Sequence, residues 1–216
     1  MADDLKYGYK GAEPTQSFGN NTGVFDPNDI NNLIADNKWT SFGQLELIET
    51  QNITTDSFVD FTSIQESTYN VHFLTFNNLK YTTDSRFLSL KFSNDSGSTF
   101  EGGTSYQYAM QRGDSGGTFG ENKSTGTSII SYLAPPGNAT NEKQNGYIYL
   151  YNLGDSSKYS FTTSHSFGFD TSTNAEFSFG SGVYTVAETI NAIRLQDSSA
   201  STINTADISL YGIRYS

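Results

Sequence analysis

The chain has 216 residues, no cysteine, and 12 Lys plus Arg against 23 Asp plus Glu, for a net charge of −11. Its length fits one domain that buries a core without staples, and the missing cysteines exclude disulfides and thiolate metal sites. The acidic balance excludes binding to a phosphate backbone, so no nucleic acid is expected as a partner. No apolar run reaches 18 residues, so no membrane insertion is expected, and the acidic start Met1-Ala2-Asp3-Asp4 does not read as a secretory signal. Ser, Thr and Asn together number 72, one third of the chain, and aromatics are 14%. That mixture predicts a β-rich body with polar turns, not a disordered chain.

Residues 1–42 differ from the rest. Tyr7-Gly8-Tyr9-Lys10-Gly11 and Ser17-Phe18-Gly19-Asn20 have no sustained period and many turn formers, which predicts an extended arm. A short helix follows over about 27–37. Asp26 suits the N-cap, Pro27 the first helical position, and Asp29 the positive helix end. Phe25 and Ile30 fit a hydrophobic staple, and Ile30, Leu33 and Ile34 share one face. The arm has too little apolar surface to fold alone. Tyr7, Tyr9, Phe18, Phe25 and Trp39 are its candidate anchors on a neighbour.

From 43 to 216 the pattern switches to period two. Runs such as Tyr69–Leu74, Phe87–Phe92, Tyr147–Tyr151, Lys158–Phe161, Glu176–Phe179, Val183–Val186, Ile193–Leu195 and Ile208–Tyr211 are separated by Gly/Asn/Asp/Ser clusters. They predict an all-β, jelly-roll-like β-sandwich of about eight to ten strands. The Gly/Ser/Thr-rich stretch from Gly113 to Thr127 reads as a long loop, and Pro135-Pro136-Gly137-Asn138 marks another. Tyr147, Tyr149 and Tyr151 fall on one strand face, opposite Ile148 and Leu150. Three readings stand for this stripe: a layer of the core, a subunit contact, or a sugar-stacking platform.

Catalytic signals are thin. Gly113-Asp114-Ser115-Gly116-Gly117 copies the motif around the nucleophile of chymotrypsin-like proteases, and His72 precedes it in the required order. His72, however, stands inside an alternating strand run, and no proline follows Gly117. The five residues therefore read as part of the flexible loop. Ser93-Asn94-Asp95-Ser96-Gly97-Ser98-Thr99-Phe100 resembles the Asp-box hairpin of sialidases, where Asp and Ser bond the turn and the aromatic ring anchors the returning strand. One copy reads as a structural device. His72 and His165 each stand alone, and Asp155, Asp170 and Asp197 fall in turns without a calcium-loop pattern, so neither metal nor cofactor is expected. A glycan hydrolase would need two carboxylates flanking a cleft, and no pair singles itself out.

Several stretches resemble virion structural proteins of tailed bacteriophages of marine bacteria, cyanophages in particular. They are Gly8–Ser17 through Asn20–Phe25, then Ser67–Phe73, Asn145–Asn152 with Tyr159–Phe161, and Ile190–Arg194 with Leu210–Ile213. The resemblance implies a non-enzymatic accessory virion protein, either a tail fibre or knob or a capsid decoration. Such a chain is made in the host cytoplasm and located in the virion. Its implied partners are itself, as a homotrimer, and other virion proteins. A host surface glycan is the alternative partner, for a receptor-recognition module.

Overall fold

The computed structural model describes residues 27–35, 45–132, 135–199 and 201–214. They belong to two units, one within Met1–Gln44 and one spanning Leu45–Tyr215. In the first, helix α1 (Pro27–Ala35) starts on the expected proline with Asp29 in its first turn. None of its residues is buried, and Ile34 is 56% exposed. The anchors Tyr7, Tyr9, Phe18, Phe25 and Trp39, and the expected helix end at Asn37, lie outside the described residues.

The second unit is an all-β sandwich of two antiparallel sheets. Its strands are β1 (Leu45–Ile53), β2 (Phe58–Phe61), β3 (Val71–Tyr81), β4 (Leu88–Ser93), β5 (Tyr106–Asp114) and β6 (Phe119–Thr127). They continue as β7 (Ile130–Ser131), β8 (Gln144–Tyr151), β9 (Ser160–Phe169), β10 (Ala175–Tyr184), β11 (Ala192–Asp197) and β12 (Ile203–Ile213). The large sheet runs β1-β12-β3-β8-β9-β10-β5-β6, and the small one β2-β11-β4-β7. Twelve described strands replace the expected eight to ten. The strands beyond the runs read from the sequence are β1, β2, β5, β6 and β7, and the two runs at 176–179 and 183–186 fuse into one strand, β10, ending at Tyr184.

The core lies between the sheets. Leu74, Phe76, Ile148, Leu150, Ile208 and Leu210 project from the large sheet, and Val59, Phe61, Leu90, Phe92, Ile193 and Leu195 from the small one, all buried. Each contributes about 1.5–3 kcal/mol over an exposed position. Tyr106 and Tyr184 pack with centroids 4.9 Å apart, and Phe92 joins them at 6.0 and 5.9 Å.

The two sheets differ in width. At about 4.8 Å per strand, eight strands span roughly 34 Å and four only about 14 Å. Part of the inner face therefore needs another cover. There β9 and β10 carry Thr162, Ser166, Ser178 and Gly182, all buried. The small sheet's edge strand β7 with Tyr132, and Pro135–Gly137, cover these small residues as a strap. A Cβ on Gly182 would come within 2.9 Å of Ile130, the Tyr132 hydroxyl lies 3.5 Å from that of Thr162, and Gly137 N–H donates to Phe169 O. Pro135 and Pro136 lie in a loop, as expected, and are buried in the strap.

The expected long loop over 113–127 is instead a hairpin. β5 pairs with β6 from Tyr106↔Thr127 to Gly113↔Phe119. Only the tip is a turn, where Asp114 Oδ1 accepts the Thr118 N–H at 3.0 Å and Gly117 takes φ +91°. Its Ser, Thr and Gly content suggests a loop, but the ladder bonds depend on backbone groups and not on side-chain polarity.

Candidate functional site

The large sheet turns its second face outward, and aromatic rings cover much of it. The register aligns them in rows. One row runs Phe119, Gly113, Phe177, Phe167, Asn145; the next runs Gln111, Phe179, His165, Tyr147, Thr75; a third runs Ala109, Ser181, Thr163, Tyr149, Phe73, Tyr211. Gly113 has a specific use here. A Cβ on it would meet the Phe119 ring at 2.8 Å and the Phe177 ring at 2.9 Å, so its missing side chain lets the two rings close over the strand.

The face divides by ring chemistry. Its β12-β3-β8 half carries Tyr147, Tyr149, Tyr151 and Tyr211 around Phe73. Phe73 lies 4.7 Å from Tyr149, 5.7 Å from Tyr147 and 6.2 Å from Tyr211, centroid to centroid. Tyr149 stacks on Tyr151 at 6.2 Å, and Tyr147 meets His165 edge-on at 5.9 Å. Tyr147, Tyr149 and Tyr151 with Thr163, His165 and Phe179 line an open hollow of about 480 Å³. The stripe therefore lies on the outer face, with Ile148 and Leu150 buried behind it. This removes the core-layer reading and leaves a subunit contact or a sugar platform.

Apart from His165 at the hollow, the rings of the β9-β10-β5-β6 half are all phenylalanine. Phe119, Phe161, Phe167, Phe169, Phe177 and Phe179 are 40–76% exposed. The Phe177 and Phe179 planes lie 4° apart with centroids at 6.3 Å. Sequence reading missed this half, although a signal was present in the odd positions of Phe161–Phe169 and in Phe177 and Phe179. The alternate positions are Thr, Ser and Gly, which look like an outer face and are in fact the inner one beneath the strap.

The protease-like constellation does not form. Ser115 sits in the β5–β6 turn, where its hydroxyl accepts the Ala175 N–H at 3.1 Å. His72 is fully buried on β3, four strands from β5, so about 19 Å separates the two strands. Its Nε2 bonds the Ile64 carbonyl at 2.8 Å, and burial lowers its pKa. His165 lies exposed on the outer face. The Asp-box-like turn forms as expected. Asp95 accepts from Ser93 Oγ at 2.7 Å and from Thr99 N–H and Oγ1 at 2.9 and 2.7 Å, and these bonds hold its carboxyl at about 2. Phe100 is half-buried, with the Arg194 guanidinium 4.1 Å above its ring. Phe58 covers the same guanidinium at 3.8 Å, and Asp60 takes two bonds of 2.7 Å from it.

Two further carboxylates sit in distinctive settings. Glu176 is buried against Arg112 at 2.8 Å, and burial outweighs that cation to push its carboxyl up to about 7. Asp197 is buried and accepts the Phe87 and Ser201 N–H groups at 3.2 and 2.8 Å, holding two loop ends. Asp155 and Asp170 bond the N–H groups of their own turns, as their positions suggested. No cluster of three or more metal-ligating side chains occurs among the described residues. Comparison with protein-family models, with curated proteins and with solved structures finds no match to the chain.

Proposed function

We propose that the chain is a non-enzymatic accessory protein of a tailed-phage virion, a tail fibre or knob or a capsid decoration. Residues 1–42 anchor it, and the jelly-roll-like body works as a homotrimer in particle stability or host attachment. The observation that carries this reading is the aromatic outer sheet face, which exceeds what an isolated monomer leaves in water. Patches on monomers rarely pass a few hundred Å² unless they bind something. The stretches similar to marine phage virion proteins support the same reading.

The test is to locate the chain on purified particles by electron cryomicroscopy, and to repeat assembly with residues 1–40 deleted. The expected result is a folded, truncated body that no longer enters particles. Normal incorporation of that body would remove the anchoring role.

The tyrosine hollow favours a second reading, a module that binds host surface glycan. Ring faces stack on the apolar faces of sugars, while phenol hydroxyls, Thr163 and His165 offer hydrogen bonds at the rim. Tyr149→Ala is expected to weaken binding to host polysaccharide about tenfold per site, measured by calorimetry. Unchanged binding would place any glycan elsewhere.

A further inference from the structure

We infer that the phenylalanine half of the outer face, on β9, β10, β5 and β6, is the surface on which a second copy of this chain docks. The inference rests on the proposed homotrimer and deepens it by naming the face on which its copies meet.

Four observations support it. The first is area. Six rings at roughly 200 Å² each, 40–76% exposed, leave about 600 Å² of apolar surface on one patch, close to the ~800 Å² per partner of a stable association. The second is ring chemistry. These rings carry no hydroxyl and offer a ligand no hydrogen bond, in contrast to the tyrosine half beside them.

The third is relief. The stacked Phe177 and Phe179 form a ridge, and next to it lies a trough of about 440 Å³ floored by Ala109, Ser181 and Gly182 between Phe161 and Lys123. The ridge of one copy can seat in the trough of the next, a head-to-tail contact of the kind that closes a trimer. The fourth is charge. Each copy carries −11, so most faces of two copies repel. The outward positions of β5, β9 and β10 hold no carboxylate, and on β6 Glu121 is ion-paired with Lys123. A second copy can approach here without setting like charges together.

The test is the mass of the full chain in solution, by light scattering and sedimentation up to about 100 µM. Wild type is compared with F177S/F179S and, independently, with S181R, which fills the trough at an exposed position and leaves the rings intact. The expected result is a wild-type mass that is a multiple of 23.7 kDa. Both variants should keep their circular dichroism and raise the dissociation constant about a hundredfold or more. A wild type that stays monomeric overturns the inference, whether or not it binds oligosaccharide, and so does an oligomer unchanged in both variants. These outcomes read mass and not particle location, so this inference and the virion role can fail separately.

Discussion

Arg194 meets two carboxylate oxygens of Asp60 and two aromatic rings at once, a set that only a flat guanidinium can satisfy. It joins β11 to β2 and to the Asp95 turn through Phe100, on the side of the small sheet away from the core. With about a fifth of each charged side chain exposed, the pair is shielded enough to matter. Arg194→Lys is expected to cost about 1–2 kcal/mol in urea unfolding, and a double-mutant cycle with Asp60→Asn should show coupling of similar size. Glu176 gives a pH signature. Its folded carboxyl, at about 7, binds a proton more tightly than the unfolded one near 4.5. Its contribution is therefore complete below the unfolded value and is lost as pH rises through 7. His72, lowered by burial, acts in the opposite sense, losing stability as pH falls below its ordinary 6.5. Subtracting a Glu176→Gln variant isolates the carboxylate. Relative to that variant, wild type should lose about 3 kcal/mol between pH 4.5 and 7. A flat difference would mean that Arg112 offsets burial and leaves the Glu176 carboxyl at its unfolded value.

At the scale of elements, the strap decides how the wide sheet is closed. β9 and β10 present small inner side chains where the small sheet ends at its edge strand β7, and Ile130 of β7 occupies the space that Gly182 leaves. Gly182→Val fits the strand conformation but overpacks this contact, so it should cost about 2–3 kcal/mol. Gly102→Ala, with nothing within 4 Å of the added carbon, should stay within about 0.5 kcal/mol of wild type by the same measurement. The strap also explains what the sequence could and could not show. Strands with large apolar residues on the inner face, such as Leu74-x-Phe76 and Ile148-x-Leu150, are legible because their alternation points to the core. β9 and β10 carry phenylalanine outside and Ser, Thr or Gly inside, so the same rule inverts them. β5 and β6 are legible only at the turn, since Asp114 and Gly117 advertise the tip while the ladder is made by the backbone. The tyrosine stripe is legible as a stripe, but its exposure depends on which face the small sheet covers, and that is set by long-range pairing. The arm anchors belong to the first unit and lie outside the described residues, so they stand on sequence alone.

For the whole molecule, charge and apolar surface oppose one another. Two copies at −11 each repel over the screening length, roughly 30 Å at 0.01 M salt and 10 Å at 0.1 M. The phenylalanine face attracts only on contact and is indifferent to salt at these concentrations. Self-association through this face should therefore tighten as salt rises. Sedimentation equilibrium at about 0.01 and 0.3 M sodium chloride should show the dissociation constant falling by about tenfold or more. The F177S/F179S variant should stay monomeric in both. A complex held by opposite charges does the reverse, because salt screens the attraction that forms it. Weakening with salt would thus assign the contact to charged side chains and take it away from the phenylalanine rows. Tightening with salt in wild type alone ties self-association to an apolar face whose outward positions on β5, β9 and β10 hold none of the chain's 23 carboxylates.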